Sequence, residues 1–204
     1  MDSNFFQNVM VMIWYLGYKK VEKLSFESEL FMLITIDAYK DIDAKKLMDI
    51  YSESNYENTD YFCPDEVDKT VAVKMVEDRF LDYLQNEFWA REGASYWVLE
   101  KDGVWISACR ISKIQSGLYY LEALETRPDY RGNGYASLLL SEIVESLKKT
   151  GAFRICDCVG KKNIASLRTH EKAGFMIMSE EGYDYLQNES EPQQFGLEYR
   201  FYEE

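Results

Sequence analysis

The chain has 204 residues, 47% of them hydrophobic, which suits one or at most two buried cores. Its net charge of −13 argues against nucleic acid as the main partner. No apolar run approaches bilayer length, and the longest, Val9 to Leu16, lacks the basic and small-residue flanks of a signal peptide.

In chain order, residues 1–32 stand apart. An apolar, aromatic stretch holding Trp14 and Tyr15 precedes a mixed-charge stretch from Lys19 to Glu29. The segment is expected to pack on the domain or to form a homodimer contact, with the domain proper running 33–204. Leu33 to Ala38 predicts a strand. Asp43 opens a helix to about Ser54 that turns Leu47 and Ile50 inward. Pro64-Asp65 starts a long helix to about Arg91. Its stripes Val67, Val71, Met75 and Phe80, Leu84, Phe88 do not share one face, so a bend is expected.

Tyr96–Glu100 and Val104–Ile114 predict a hairpin around Lys101-Asp102-Gly103, because Asp-Gly is a strong turn signal. Ser116-Gly117 turns the chain into a strand ending at Thr126. A helix follows with Ala136, Leu139, Leu140, Ile143, Val144 and Leu147 on one face and Gly151 at its stop. Then come a strand from Phe153 to Val159, a helix opened by Asn163, and closing strands near 175–178 and 195–201. The alternation predicts an α/β, or mixed α+β, three-layer fold. The four cysteines show no zinc spacing and the single histidine completes no cluster, so no metal is expected. Cys156 and Cys158 share one strand face as reduced thiols, in keeping with a cytoplasmic protein.

Arg131-Gly132-Asn133-Gly134-Tyr135-Ala136 carries the most chemistry. A strand, a glycine-containing loop and a helix N-terminus make an anion site: glycine permits close backbone approach, and first-turn N–H groups have no partner. Taken alone, such a turn is more often only a turn. It is neither a P-loop nor the dinucleotide fingerprint, since the Gly-Lys-Ser/Thr and the glycine spacing are both missing. Downstream stands Asn163-Ile164-Ala165-Ser166-Leu167-Arg168-Thr169-His170-Glu171-Lys172-Ala173-Gly174-Phe175.

With both motifs in this order, the chain resembles the GNAT acyltransferase superfamily over about residues 117–178, and by extension from Leu33 onward. Arg131, Gly134 and Ala136 match the family's coenzyme A loop. Asn163, Ser166, His170 and Gly174-Phe175 match its second motif. The resemblance implies a central, mostly antiparallel sheet flanked by helices, and acetyl-CoA as co-substrate. It also implies that the loop 131–136, the strand end Leu124-Glu125-Thr126, Asn163 and Ser166 contact the coenzyme. The strand end would act through its backbone, often beside a β-bulge that frees an N–H.

Acyl transfer to an amine needs a deprotonated amine, a positioned thioester, an oxyanion donor and a protonated leaving thiolate. His170 stands where the family more often has Tyr, as the general acid or a donor to the coenzyme sulfur; a packed helix histidine is the equal alternative. Glu122 is the first choice for general base, with Glu125, Asp157 or a water chain as alternatives. Strict alternation sets Glu122, Leu124 and Thr126 on one face and Leu121, Ala123 and Glu125 on the other, so only one glutamate faces the cleft.

Residues 127–172 hold nine Lys/Arg against five acids, whereas 53–68 and 173–199 each hold six acids and no Lys/Arg. The acidic stretches, with their tyrosines and phenylalanines, suggest an entrance for a cationic amine acceptor; two solvated loops are the alternative. The reading is thus an acetyl-CoA-dependent N-acetyltransferase acting on a small-molecule or peptide amine. A non-catalytic coenzyme-A-binding sensor or assembly module is the alternative.

Overall fold

A computed structural model describes residues 12–16, 19–26 and 29–202, with side chains from Leu30 to Tyr202. Nine strands form one sheet. They are β1 (Met12–Leu16), β2 (Lys19–Phe26), β3 (Glu29–Ile36), β4 (Ala94–Lys101), β5 (Val104–Gln115), β6 (Leu118–Thr126), β7 (Phe153–Gly160), β8 (Met176–Ser179) and β11 (Gln194–Phe201). The order is β1-β2-β3-β4-β5-β6-β7-β11-β8, and a small separate ribbon pairs β9 (Gly182–Asp184) with β10 (Glu189–Glu191). Within the sheet every pairing is antiparallel except β6 with β7. The expected boundary at residue 32/33 falls inside β3, where Phe31 and Leu33 are both core residues.

Helices cover both faces. One face packs α5 (Tyr135–Lys148) and Leu167 of α6 (Ile164–Lys172) over Leu121, Ile155 and Val159. The other packs α1 (Ala44–Ile50), Phe80 of α4 (Lys69–Tyr83) and the π-helical turn Leu84–Phe88 over Ile34, Tyr96 and Ala108. On that second face α2 (Ser52–Glu57) and α3 (Thr59–Phe62) connect α1 to α4 and pack against α4. This is the expected three-layer arrangement.

Local chemistry explains the element ends. Asp43 accepts from Lys46 N–H and starts α1 as expected, but the helix breaks at Tyr51 into α1 and α2. The long helix starts later than Pro64-Asp65, because the Asp68 carboxylate accepts from Thr70 and Val71 N–H. The first expected stripe is therefore corrected: Val67 is 96% exposed, and Ala72 and Val76 are buried instead. Leu84 and Phe88 are buried as expected, and the π turn supplies the change of face. Asp102 and Gly103 both have positive φ, 51° and 79°, as the β4–β5 turn requires. All four cysteines are free, and among the described residues no helix is long and apolar enough to cross a membrane.

Candidate active site

The parallel pairing of β6 with β7 stops after Tyr120 and Cys156, and beyond it β6 runs on to Thr126 unpaired on that side. A cavity of about 530 Å³ opens there. Its walls are Leu124, Glu125 and Thr126, then Arg131, Gly132 and Gly134 of the loop, Tyr135 and Ala136 of α5, and Asn163 and Ser166 at the start of α6. Gly132 and Gly134 both have φ of 80°, and nothing stands within 4 Å of a Cβ added at either. The backbone thus presents its surface to the cavity. Gly134 is the N-cap of α5 and caps no N–H by a side chain, so the first-turn N–H groups are available to an anion.

Every expected coenzyme contact except Asn133 lines this cavity. Asn133 braces the loop by donating to the carbonyls of Tyr130 and Arg131, each at 3.1 Å. Asn163 caps α6 through Ser166 N–H at 3.1 Å. The Arg131 guanidinium donates to Thr126 O at 3.1 Å and Glu125 at 2.6 Å, and pairs with Glu53 on α2. Its charge is therefore engaged within the protein. Arg168 and Lys172, on the α6 face with Ala165, also line the cavity, and no described carboxylate pairs with them. Their four-residue spacing was visible in the sequence, but only as part of a basic count.

A second cavity, of about 520 Å³, lies on the α2–α4 side and includes Tyr51, Arg79, Phe80, Arg110, Ala123 and Glu125. The two cavities share Glu125. Between them β6 is bulged. Ala108 pairs with Glu125 and Arg110 with Glu122, so Ala123 and Leu124 both stand against Cys109. Ala123 has φ of 53°. Tyr51 OH donates to Ala123 O at 2.7 Å and accepts from Tyr96 OH at 2.8 Å, pinning the strained residue from below.

Residues 46–175 match the Acetyltransferase (GNAT) family. The chain belongs to this family. No curated protein matches it. Among solved structures it is similar to PaiA N-acetyltransferase from Thermoplasma acidophilum in complex with coenzyme A, at 16% identity and TM-score 0.56, over 83% of this chain and 99% of that one. An acetyltransferase from Streptococcus agalactiae aligns at 16% identity and TM-score 0.54, over 96% and 100%. An IAA acetyltransferase from Bacillus cereus aligns at 15% and 0.53, over 84% and 99%. These likenesses show the fold, and family membership makes the chain an acetyl-CoA-dependent acyltransferase.

Within this acetyltransferase the bulge corrects the alternation expected for β6. The extra residue puts Glu125 on the face of Glu122, the one that meets the second cavity, and Leu124 with Leu121 on the α5 side, where strict alternation had set the members of each pair on opposite faces. Glu122, expected as the base, pairs with Arg110 and lines neither cavity. Burial raises the pKa of Glu122 and outweighs the opposing pull of Arg110 and Arg91. Burial likewise raises Glu125 against the pull of Arg131, and Glu125 does reach both cavities.

His170 takes the packed alternative. It is 0% exposed, lines neither cavity and packs edge-on against Phe175 at 5.2 Å. Nδ1 lies 2.8 Å from Ser166 O, and Nε2 lies 2.8 Å from Asp157 Oδ2, though its N–H is not aligned for a good hydrogen bond. The ring is thus placed as the packed helix histidine that the sequence equally allowed, away from both cavities. Asp157, the alternative base, is buried with it. Nor do the acidic stretches converge. Asp60 pairs with Lys69 and Glu53 with Arg131, and residues 173–199 contribute nothing to either lining.

Proposed function

We propose that this acetyltransferase transfers the acetyl group of acetyl-CoA directly to a primary amine that enters through the second cavity. The coenzyme pyrophosphate lies on the 131–136 loop and the α5 N-terminus, beside Arg168 and Lys172. The pantetheine arm follows the unpaired edge of β6 past Thr126 and Leu124, so the thioester reaches the bulge. One observation carries this reading: two cavities on opposite sides of β6 meet at residues 123–125, with one carboxylate, Glu125, in both.

The acceptor arrives as an ammonium ion, since a free alkylamine titrates near 10.4. Glu125 takes its proton, directly or through one water, and its burial-raised pKa makes it a better base than an exposed glutamate. The amine nitrogen then bonds to the acyl carbon, the carbon–sulfur bond breaks, and the thiol leaves with a proton. Backbone N–H released from the ladder at the bulge meets the acyl oxygen. Glu122, held by Arg110, fixes the floor beneath the attack. The cationic character of the acceptor rests on this ammonium group, because Asp60 and Glu53 are paired with Lys69 and Arg131 and residues 173–199 line neither cavity.

Glu125→Gln tests the assignment. It keeps the shape and the engagement of Arg131 with Glu53 and removes the base. The turnover number should fall on the order of a hundredfold, with the acidic limb of the pH–rate profile lost and acetyl-CoA affinity little changed. A variant with wild-type turnover and an unaltered acidic limb removes Glu125 from the chemistry.

A further inference from the structure

The charges around the second cavity are arranged in pairs that leave two residues uncompensated. Arg110, under the aromatic rings of Phe80, Tyr83 and Phe88 at 5.8, 5.0 and 5.7 Å, is balanced by Glu122. At the β6 wall, Glu125 and Glu53 share the single guanidinium of Arg131, so that end carries one net negative charge. At the α4 wall, Arg79 lines the cavity with its guanidinium carbon 5.7 Å from the Phe62 ring, and no described carboxylate pairs with it. That end presents an unpaired guanidinium, on an exposed side chain. Between the two ends one wall is aromatic, from Tyr51, Phe80 and Tyr83, and the wall from α2 and its C-cap is polar, from Ser54, Asn55 and Asn58.

Such a cavity is dipolar. A diamine would place its second ammonium against Arg79, and a plain alkylamine would leave the guanidinium unmatched. An acceptor with an ammonium at one end and an anion at the other satisfies both walls. Arginine is suited to the second task, since its fork binds a carboxylate through two parallel N–H bonds. The stem must be apolar to lie along the aromatic side chains. Resting on the acetyltransferase reading above, we propose that the acceptor is an amino acid-like zwitterion: a primary amine and a carboxylate on one apolar stem, with Arg79 as the residue that selects the carboxylate.

The test uses the full-length protein and a ladder of ω-amino acids of about three to eight carbons, each matched with the alkylamine and the diamine of its length. Coenzyme A release gives kcat/KM, and calorimetry on the coenzyme-A-loaded protein gives binding. At the best length the ω-amino acid should exceed both matched amines at least tenfold in kcat/KM. Arg79→Gln should bring that ratio near one, Arg79→Lys should retain part of it, and acetyl-CoA affinity should hold in both. Diamines used as well as ω-amino acids, or an advantage that survives Arg79→Gln, would overturn the inference while leaving acetyl transfer intact. Absence of Arg79-dependent binding of any ω-amino acid overturns it without reference to turnover. Failure to bind acetyl-CoA would instead refute the acetyltransferase reading.

Discussion

Tyr51→Phe probes the support of the bulge with the loss of one oxygen atom. In the native protein the fully buried Tyr96 hydroxyl donates to Tyr51 OH, which in turn donates to the carbonyl of Ala123. The substitution orphans two groups at once. A buried unpaired polar group costs about 1–3 kcal/mol. Tyr96 should sit in the upper half of that range, and Ala123 O lower, because Ala123 is only partly buried and borders a cavity that admits water. The expected loss is therefore about 2–4 kcal/mol, a large share of a typical 5–15 kcal/mol stability.

Urea unfolding followed by circular dichroism measures it. The Tyr51→Phe/Tyr96→Phe pair should recover roughly 1 kcal/mol, since it removes the orphaned hydroxyl. Burial raises the pKa of Tyr51 well above its ordinary value, so the hydroxyl stays neutral and the loss should be the same from pH 6 to 9. Turnover should also fall at least tenfold, because Ala123 with φ of 53° is no longer held in place. A single variant within about 0.5 kcal/mol of the parent, with unchanged turnover, would refute the claim that this chain of hydroxyls maintains the bulge.

Further outcomes concern the coenzyme cavity and the buried histidine. Gly134→Val should raise the dissociation constant for acetyl-CoA by more than tenfold in calorimetry. The cause is the φ of 80°, which a β-branched residue rarely adopts, and not a clash, for an added Cβ meets nothing within 4 Å. An unchanged affinity in the folded variant would detach the loop from coenzyme binding. Burial works to lower the pKa of His170, but the Asp157 contact outweighs it and raises the folded value. That stabilisation is complete below the unfolded histidine value of about 6.5 and is lost as pH rises through the folded one. His170→Phe should flatten this decline and cost about 3–5 kcal/mol by stranding Asp157, with Asp157→Asn in the same chain restoring part. A stable His170→Phe protein that has lost turnover would return His170 to the chemistry.

Much of the fold was legible because its signals are local. Asp102-Gly103, Asp43 and Asn163 act through their own backbone and side chains, and each does in the structure what its residue type predicts. The long helix was misplaced at its start, since Pro64-Asp65 and Asp68 are competing start signals and only the tertiary structure selects Asp68. The same holds at the site. The glycine loop 131–136 is one contiguous segment, so its residues could be named from the sequence, and all but Asn133 line the first cavity. The second cavity is assembled from α2, α3, α4, β5 and β6, so Tyr51, Arg79 and Arg110 carried no signal of their own. One bulged residue, Ala123, reversed the face of Glu125, because alternation holds only while the ladder stays in register. His170 occupies a motif position, but its burial depends on Asp157 of β7 as well as on Phe175 of its own motif, and sequence spacing does not bring Asp157 to it.

The most direct measurement is the release of free coenzyme A thiol when the protein is mixed with acetyl-CoA and primary amines. The amines to include are amino acids, polyamines, aminoglycosides, lysine and peptide N-termini. The predicted result is amine-dependent release, matched one to one by N-acetylated product and abolished in Glu125→Gln. Tight binding of acetyl-CoA with no amine-dependent release from any of them would contradict it and leave a coenzyme-binding module without catalysis.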